Sequence, residues 1–152
     1  MVNVSSDIDR LRSNIGVEWE PVVYKIEKGM IRRFVQAIDD PNPLWQNEEY
    51  ARKSRYGGIV APPTFILTIG FEEIQQQILA SIPSGTILHG DTTLECYQPI
   101  KPGDVITATT KITNIRQRQG EKGKTAFISF EITYMNQKQE PVANCRQMVV
   151  SY

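Results

Sequence analysis

Hydrophobic positions recur at helical spacing in the first half of the chain and at every second residue in the last part. Ile31, Phe34, Val35 and Ile38 occupy positions i, i+3, i+4 and i+7, which predicts a helix with one buried face that ends near Ile38. From Thr86 onward the pattern has period two, which is typical of strands with one buried face. The predicted strands are residues 92–97, 105–116, 124–135 and 142–150.

Two more helices and one more strand precede this sheet. Apolar residues at helical spacing between Ile8 and Ile15 predict a short leading helix, and residues 21–26 predict a strand. The longest apolar helical pattern runs from Pro62 to Leu79, and its first part is apolar nearly all round. A helix of this kind is typically enclosed on several sides.

Together these elements predict an α+β fold in which a curled antiparallel sheet surrounds a long central helix, the hot-dog architecture. A half-apolar sheet and a helix that is apolar on most sides bury each other, so we expect one domain over residues 1–152. A single open sheet leaves an edge strand with unpaired backbone groups. We therefore expect a homodimer or a heterodimer with a second domain of the same kind.

Composition excludes several classes of function. The chain has 17 basic and 17 acidic residues and no long basic run, so we do not expect nucleic acid as a partner. It has no apolar run long enough to span a membrane, and we expect a cytoplasmic protein. Cys96 and Cys145 fall in strand-like alternation and are interpreted as reduced core thiols, while a single His provides no zinc ligand set. We expect neither a metal nor a cofactor.

The irregular stretch between Ala37 and Phe65 interrupts the helical periodicity. It contains Asp39 and Asp40, a Pro-Asn-Pro turn, a Gly-Gly pair and a Pro-Pro pair. The proline after Asp40 disfavours helical geometry at that residue and sets its carboxylate on a corner. A second short helix is predicted to begin at Asn47. Such a segment is usually a site or a lid.

Four segments of the chain resemble the MaoC-like dehydratases, in particular the branch of their N-terminal, FAS1-like domains. The segments are IRRFVQAI, DDPNPLW, NEEYARKSRYGGIVAPPTF and LHGDTTLECYQPIKPGD, and the resemblance covers roughly residues 20–150. It implies a hot-dog hydro-lyase that hydrates enoyl thioesters or dehydrates 3-hydroxyacyl thioesters carried on coenzyme A or an acyl carrier, as in fatty acid metabolism. In the family motif Asp-x-Asn-Pro-Leu is followed by a catalytic His. Asp40 and Asn42 match that motif, and Trp45 stands in place of the His.

Trp45 decides how the resemblance is interpreted. Adding water to an unsaturated thioester needs groups that remove and return protons, which His with Asp provides near neutral pH. Indole only donates its N–H. The first interpretation is therefore the substrate-binding half of a two-part enzyme, like the heterodimeric (3R)-hydroxyacyl-ACP dehydratases, with the catalytic pair on the partner. The alternatives are a self-sufficient homodimer that uses Asp40 with His89 and a non-catalytic module that binds acyl thioesters.

The candidate binding residues lie around the motif. The resemblance implies that backbone N–H groups at Gly57 and Gly58, followed by Ile59, are presented to a thioester oxygen. Trp45 and Pro63, at the start of the long helix, are expected to frame an acyl channel. Asn42 of the motif completes the expected substrate-binding set.

Each candidate also has a structural interpretation. Asp40 either orients a water molecule or accepts hydrogen bonds from the Pro-Asn-Pro turn, and Trp45 either walls a channel or fills the core. The glycines either serve the substrate or only form the turn. His89 is either a replacement base or a structural His. Glu72 and Glu73 raise the possibility of thioesterase chemistry, and the cations Arg52, Lys53 and Arg55 either meet the carrier's phosphates or are ordinary surface charges.

Overall fold

The computed structural model describes residues 4–82, 85–120 and 123–152. Its helices are α1 (Val4–Ser13), α2 (Lys28–Ala37), α3 (Glu48–Lys53) and α4 (Phe71–Ser81), with 3₁₀ helices at Pro43–Trp45 and Pro63–Thr68. Its strands are β1 (Val22–Lys25), β2 (Ile87–Cys96), β3 (Val105–Gly120), β4 (Gly123–Met135) and β5 (Pro141–Ser151). The predicted strands and the three shorter predicted helices are present, although several of their ends differ.

The five strands form one antiparallel sheet in the order β1-β3-β4-β5-β2. The long hairpin of β3 and β4 occupies its centre, and β2, which follows the helices, lies on one edge beside β5. The register of β2 against β5 shifts between His89 and Asp91. None of the helices in the described ranges is long and apolar enough to cross a membrane.

The core lies between the concave face of the sheet and the helices that follow the irregular stretch. The predicted inward face of β4 is buried throughout and consists of Ala126, Ile128, Phe130, Ile132 and Tyr134. Phe65, Ile66 and Ile69 meet this face from one side, and Ile74 and Ile78 of α4 meet it further along. Each large buried side chain contributes roughly 1.5–3 kcal/mol. The α+β hot-dog fold is therefore confirmed.

The long central helix is not continuous, and this part of the prediction was wrong. Its first part is a 3₁₀ helix, and Gly70 then adopts a left-handed conformation with φ of 64° before α4 begins. A Cβ on Gly70 would lie 3.1 Å from the side chain of Val22 on β1. Only glycine meets both requirements without strain, so the break allows β1 to approach the start of α4 closely.

Three apolar positions are more exposed than predicted. α1 ends at Ser13, so Ile15 lies beyond the helix and is 41% exposed. Ile38 caps α2 and is 45% exposed. Cys145 is buried as predicted, but Cys96, at the end of the edge strand, is exposed. Both cysteines are free thiols.

Candidate functional site

The corner after α2 is formed by Asp39 and Asp40. Asp39 has a positive φ of 51°, which is unusual for a residue other than glycine and turns the chain out of the helix. The Asp40 N–H still donates to the carbonyl oxygen of Val35 at 3.3 Å. The proline that follows keeps Asp40 out of helical geometry, so its half-buried carboxylate points towards the next turn.

Both carboxylate oxygens of Asp40 accept hydrogen bonds within the motif. Oδ1 accepts the backbone N–H of Asn42 at 3.0 Å, and Oδ2 accepts the indole Nε1–H of Trp45 at 2.9 Å. The Asn42 side chain in turn accepts the N–H of Leu44 at 3.0 Å. Trp45 thus bonds to the carboxylate from the position where the family motif has His. Since indole has no basic nitrogen, this pair holds the corner together but lacks the second proton-accepting group that imidazole supplies in the family motif.

Trp45 also lines a cavity of about 260 Å³. Its wall is mainly apolar and comes from the segment before the 3₁₀ helix, from the end of β2 and the turn after it, and from β5. The lining residues are Trp45, Arg55, Tyr56, Val60, Ala61, Pro62, Pro63, Ile66, Cys96, Tyr97, Gln98, Pro99, Ile100, Val142 and Ala143. The structure therefore brings together two predicted binding residues, Trp45 and Pro63, in one apolar cavity.

Cys96, Tyr97 and Tyr56 were not predicted as members of this cavity. The segments that carry them are separated by about forty residues in the sequence. Contacts such as the hydrogen bond from the Ala61 N–H to the Ile100 carbonyl oxygen, at 2.8 Å, bring them together. Burial raises the pKa of the Cys96 thiol, so it stays protonated near neutral pH and does not supply a nucleophile. The Arg55 guanidinium stacks on the Tyr56 ring, 4.8 Å from its centre.

The glycine pair and Ile59 lie at a different cavity. Gly57 has φ of 69°, and its N–H donates to Ser54 at 3.1 Å, so it forms the turn after α3. Gly58 and Ile59 line a cavity of about 320 Å³ together with Lys28 and Lys101. The Ile59 side chain is buried and does not line the cavity beside Trp45. Of the predicted binding residues, Trp45 and Pro63 thus line one cavity and Gly58 and Ile59 another. Asn42 and Gly57 line neither of the two.

His89 lies on β2, far from the Asp40 corner within one chain. It is exposed, and its Nε2 is 3.1 Å from the hydroxyl of Thr92. Cys96, the residue of β2 that shares the cavity with Trp45, lies seven residues further along, which corresponds to about 23 Å of strand. Among the described residues, the recorded side-chain partner of His89 is Thr92, and those of the Asp40 carboxylate are Asn42 and Trp45.

The two glutamates at the start of α4, Glu72 and Glu73, accept hydrogen bonds from other side chains. The Glu73 carboxylate accepts the hydroxyl of Tyr24 on β1, and this hydrogen bond lowers the pKa of Glu73 and raises the pKa of Tyr24. Glu72 is exposed beside Gln76 on the same helix. Neither glutamate lines the cavity beside Trp45, and no group of His, Cys, Asp and Glu side chains within the described ranges could hold a metal ion.

Residues 13–145 match the family model described as the FAS1-like dehydratase domain region. The chain belongs to this family. The chain is similar to a UPF0336 protein of Thermobifida fusca (strain YX), with 33% identity over 115 residues that cover 73% of this chain and 76% of the relative. The predicted relationship to the MaoC-like dehydratases is confirmed.

Two solved structures show the same hot-dog fold as this chain. One is the C-terminally truncated HadBC (3R-hydroxyacyl-ACP dehydratase) complex of Mycobacterium tuberculosis, with a TM-score of 0.76, 23% identity and coverage of 90% of this chain and 96% of that one. The other is the MaoC-like dehydratase of Rhodospirillum rubrum, with a TM-score of 0.70, 23% identity and coverage of 91% and 92%. At these identities the likeness establishes the fold.

Proposed function

We propose that this FAS1-like dehydratase is the substrate-binding half of a two-subunit hydratase or dehydratase of acyl thioesters, acting in the cytoplasm. The catalytic Asp and His lie on a partner hot-dog subunit. The hydrogen bond from Trp45 to Asp40 is the observation that carries this proposal. It preserves the shape of the family motif while replacing the proton-accepting imidazole with a group that only donates.

The cavity beside Trp45 is the proposed place for the acyl group next to the thioester. Its apolar wall suits a hydrocarbon chain, and Trp45 contributes a flat face to that wall. Binding of an acyl thioester is therefore expected to change the fluorescence of Trp45. Trp45→Phe should keep the binding and lose the change, because Trp19, the other tryptophan, packs against Phe130 in the core.

The free edge of β2 supports pairing with a second hot-dog subunit. This strand has a neighbour on one side only, and nearly all of its side chains are exposed. Leu88 on β2 and Tyr97 just after it are about half exposed, as are Phe71 and Leu79 of α4. Burying such apolar surface contributes about 25 cal/mol per Å² to association. HadBC is by its name a complex, which agrees with a two-subunit assembly.

The test is hydration of crotonyl-CoA by the chain alone and by the chain co-purified with a hot-dog protein, encoded by a neighbouring gene, that has an intact Asp-x-Asn-Pro-Leu-His motif. We expect no turnover above buffer from the chain alone and turnover from the complex. Asp40→Asn in this chain should leave the turnover of the complex within about threefold, because this carboxylate has no proton-transfer partner. Replacing the motif His of the partner by Ala should abolish turnover.

Two other outcomes would contradict this proposal. Turnover by the chain alone that disappears in His89→Ala would establish the self-sufficient homodimer, in which His89 of one chain reaches Asp40 of the other. Binding of acyl thioesters without turnover in any complex would establish a binding module.

A further inference from the structure

Two cavities that share Lys28 lie between α2, α3 and the turn before β3. The first, of about 210 Å³, is lined by Lys28, Arg32 and Trp45, and the second, of about 320 Å³, is lined by Lys28, Arg52 and Lys101. We call these two cavities the basic groove. Since Lys28 lines both, and Trp45 also lines the apolar cavity, the basic groove begins where the proposed acyl site ends.

The basic groove is strongly positive in a chain whose net charge is zero. Four cations line it, and Glu48 is the one carboxylate among its lining residues. Glu48 forms an ion pair with Lys28 and lies 3.6 Å from Arg52. The Lys101 ammonium donates only to a backbone carbonyl, that of Tyr56, at 3.0 Å. One carboxylate therefore leaves most of this positive charge uncompensated.

Two residues of the segment that follows α3 also line this groove. Gly58 and Ile59 line its larger cavity, and within the described part of the chain neither N–H donates to a protein acceptor. Gly57, in a left-handed conformation, turns the chain just before them. Cations combined with free backbone N–H groups are the donors that phosphate oxygens take in proteins.

We propose that the basic groove binds the phosphate at the end of the pantetheine arm that carries the acyl thioester. This inference rests on the proposed function, because the position of the groove next to Trp45 has meaning only if the thioester lies in the adjoining cavity. Coenzyme A and an acyl carrier protein both present a phosphate at that end of the arm. The groove has cations enough for one phosphate or for the several phosphates of coenzyme A.

The participants differ from the cations that the sequence suggested. Of those three, Arg52 lies in the groove, whereas Lys53 pairs with Glu49 on the outer face of α3 and Arg55 stacks on Tyr56 in the apolar cavity. The other groove cations come from α2 and from the turn before β3, which the fold brings beside α3.

The experiment measures the binding of two acylated and two unacylated probes to the full chain by isothermal titration calorimetry at low salt. The probes are butyryl-CoA, 3′,5′-ADP, 4′-phosphopantetheine and butyryl-pantetheine, which has no phosphate. The double variant Arg32→Ala with Lys101→Ala should weaken butyryl-CoA about tenfold or more, since it removes two of the four cations. Butyryl-pantetheine should bind the variant and the wild type equally.

A matched control removes one arginine and one lysine outside the groove. Arg33 is exposed on the same helix as Arg32, and Lys138 is exposed in the turn after β4, and neither lines the groove. Arg33→Ala with Lys138→Ala should keep butyryl-CoA affinity within about twofold. Equal losses in the two double variants would show only a general effect of net charge and would overturn the inference.

The remaining outcomes separate the two carriers and separate this inference from the proposed function. Groove-dependent binding of 3′,5′-ADP assigns the site to coenzyme A, and groove-dependent binding of 4′-phosphopantetheine without 3′,5′-ADP assigns it to an acyl carrier protein. If butyryl-pantetheine binds and the groove variant holds butyryl-CoA as well as wild type, the groove is not the phosphate site but the proposed function stands. If neither butyryl probe binds at all, the proposed function fails as well.

Discussion

The hydrogen bond between Trp45 and Asp40 can be measured as a coupling energy. Hydrogen bonds to charged groups contribute about 1.5–3 kcal/mol, but both side chains are half-buried and water partly replaces a lost donor here. We therefore expect a coupling of about 1–1.5 kcal/mol between Asp40→Ala and Trp45→Phe. Each single variant also loses other contacts, such as the Asn42 N–H bond to Asp40, and the double-mutant cycle subtracts these losses.

The assay is urea denaturation of the four proteins at pH 7, followed by circular dichroism at one protein concentration. In a chain of 152 residues, 1 kcal/mol corresponds to roughly 2–4 °C, so thermal melts provide a second measurement. The control cycle combines Asp40→Ala with Trp19→Phe, whose ring packs against Phe130, and should show additive losses. A coupling below about 0.3 kcal/mol for Asp40 with Trp45 would refute the claim that the indole holds this corner.

Three further predictions concern stability and assembly. Gly70→Ala should lower the free energy of unfolding by about 1–2 kcal/mol, because it puts a Cβ at a positive φ and 3.1 Å from Val22. Gly29→Ala, in open space within α2, should raise the free energy of unfolding by about 0.5–1 kcal/mol in the same denaturation series. The hydrogen bond from Tyr24 lowers the pKa of Glu73. The stability that this bond contributes is therefore fully present above the ordinary glutamate pKa and is lost as the pH falls through the lowered pKa of Glu73. Tyr24→Phe should therefore destabilise the protein at pH 7 and have little effect near pH 3, and an equal loss at both values would contradict this cause. Light scattering at micromolar concentration should show a dimer, alone or with the partner, and a monodisperse monomer in both samples would argue against a role for the free sheet edge.

The sequence predicted the fold well because the fold depends on repeated patterns. The period-two alternation of β4 gave its buried face correctly, since each alternate side chain of a strand must face the core. The long helix was predicted as continuous because apolar spacing does not distinguish an α-helix from a 3₁₀ helix followed by a left-handed glycine. Gly70 was visible in the sequence, but its contact with Val22 depends on where β1 lies.

The candidate site was predicted only where it is local. The Asp40 corner follows from the proline after it, and the sequence already allowed Asp40 to accept hydrogen bonds from its own turn, as the structure has it. Gly58 and Pro63 are close in sequence, yet they line different cavities. Between them, the Ala61 N–H donates a hydrogen bond to the carbonyl oxygen of Ile100. Cys96 and Lys101 line the two cavities because the fold brings segments that are distant in the sequence into contact, which no local pattern encodes.

The shift of register in β2 limits the strand that can be added to its free edge. The pairing of β2 with β5 is regular from Asp91 to Cys96, a stretch of about 20 Å. Its register shifts by one residue between His89 and Asp91. A straight strand from another chain can therefore keep its hydrogen bonds in step along this stretch and must carry a compensating bulge to continue towards Ile87. Gly90 stands at the change, where a Cβ would lie 2.8 Å from the Met148 side chain and 3.0 Å from its carbonyl oxygen. If a second hot-dog subunit pairs with this edge, we expect the phase of its backbone to decide the match, independently of the side chains it presents.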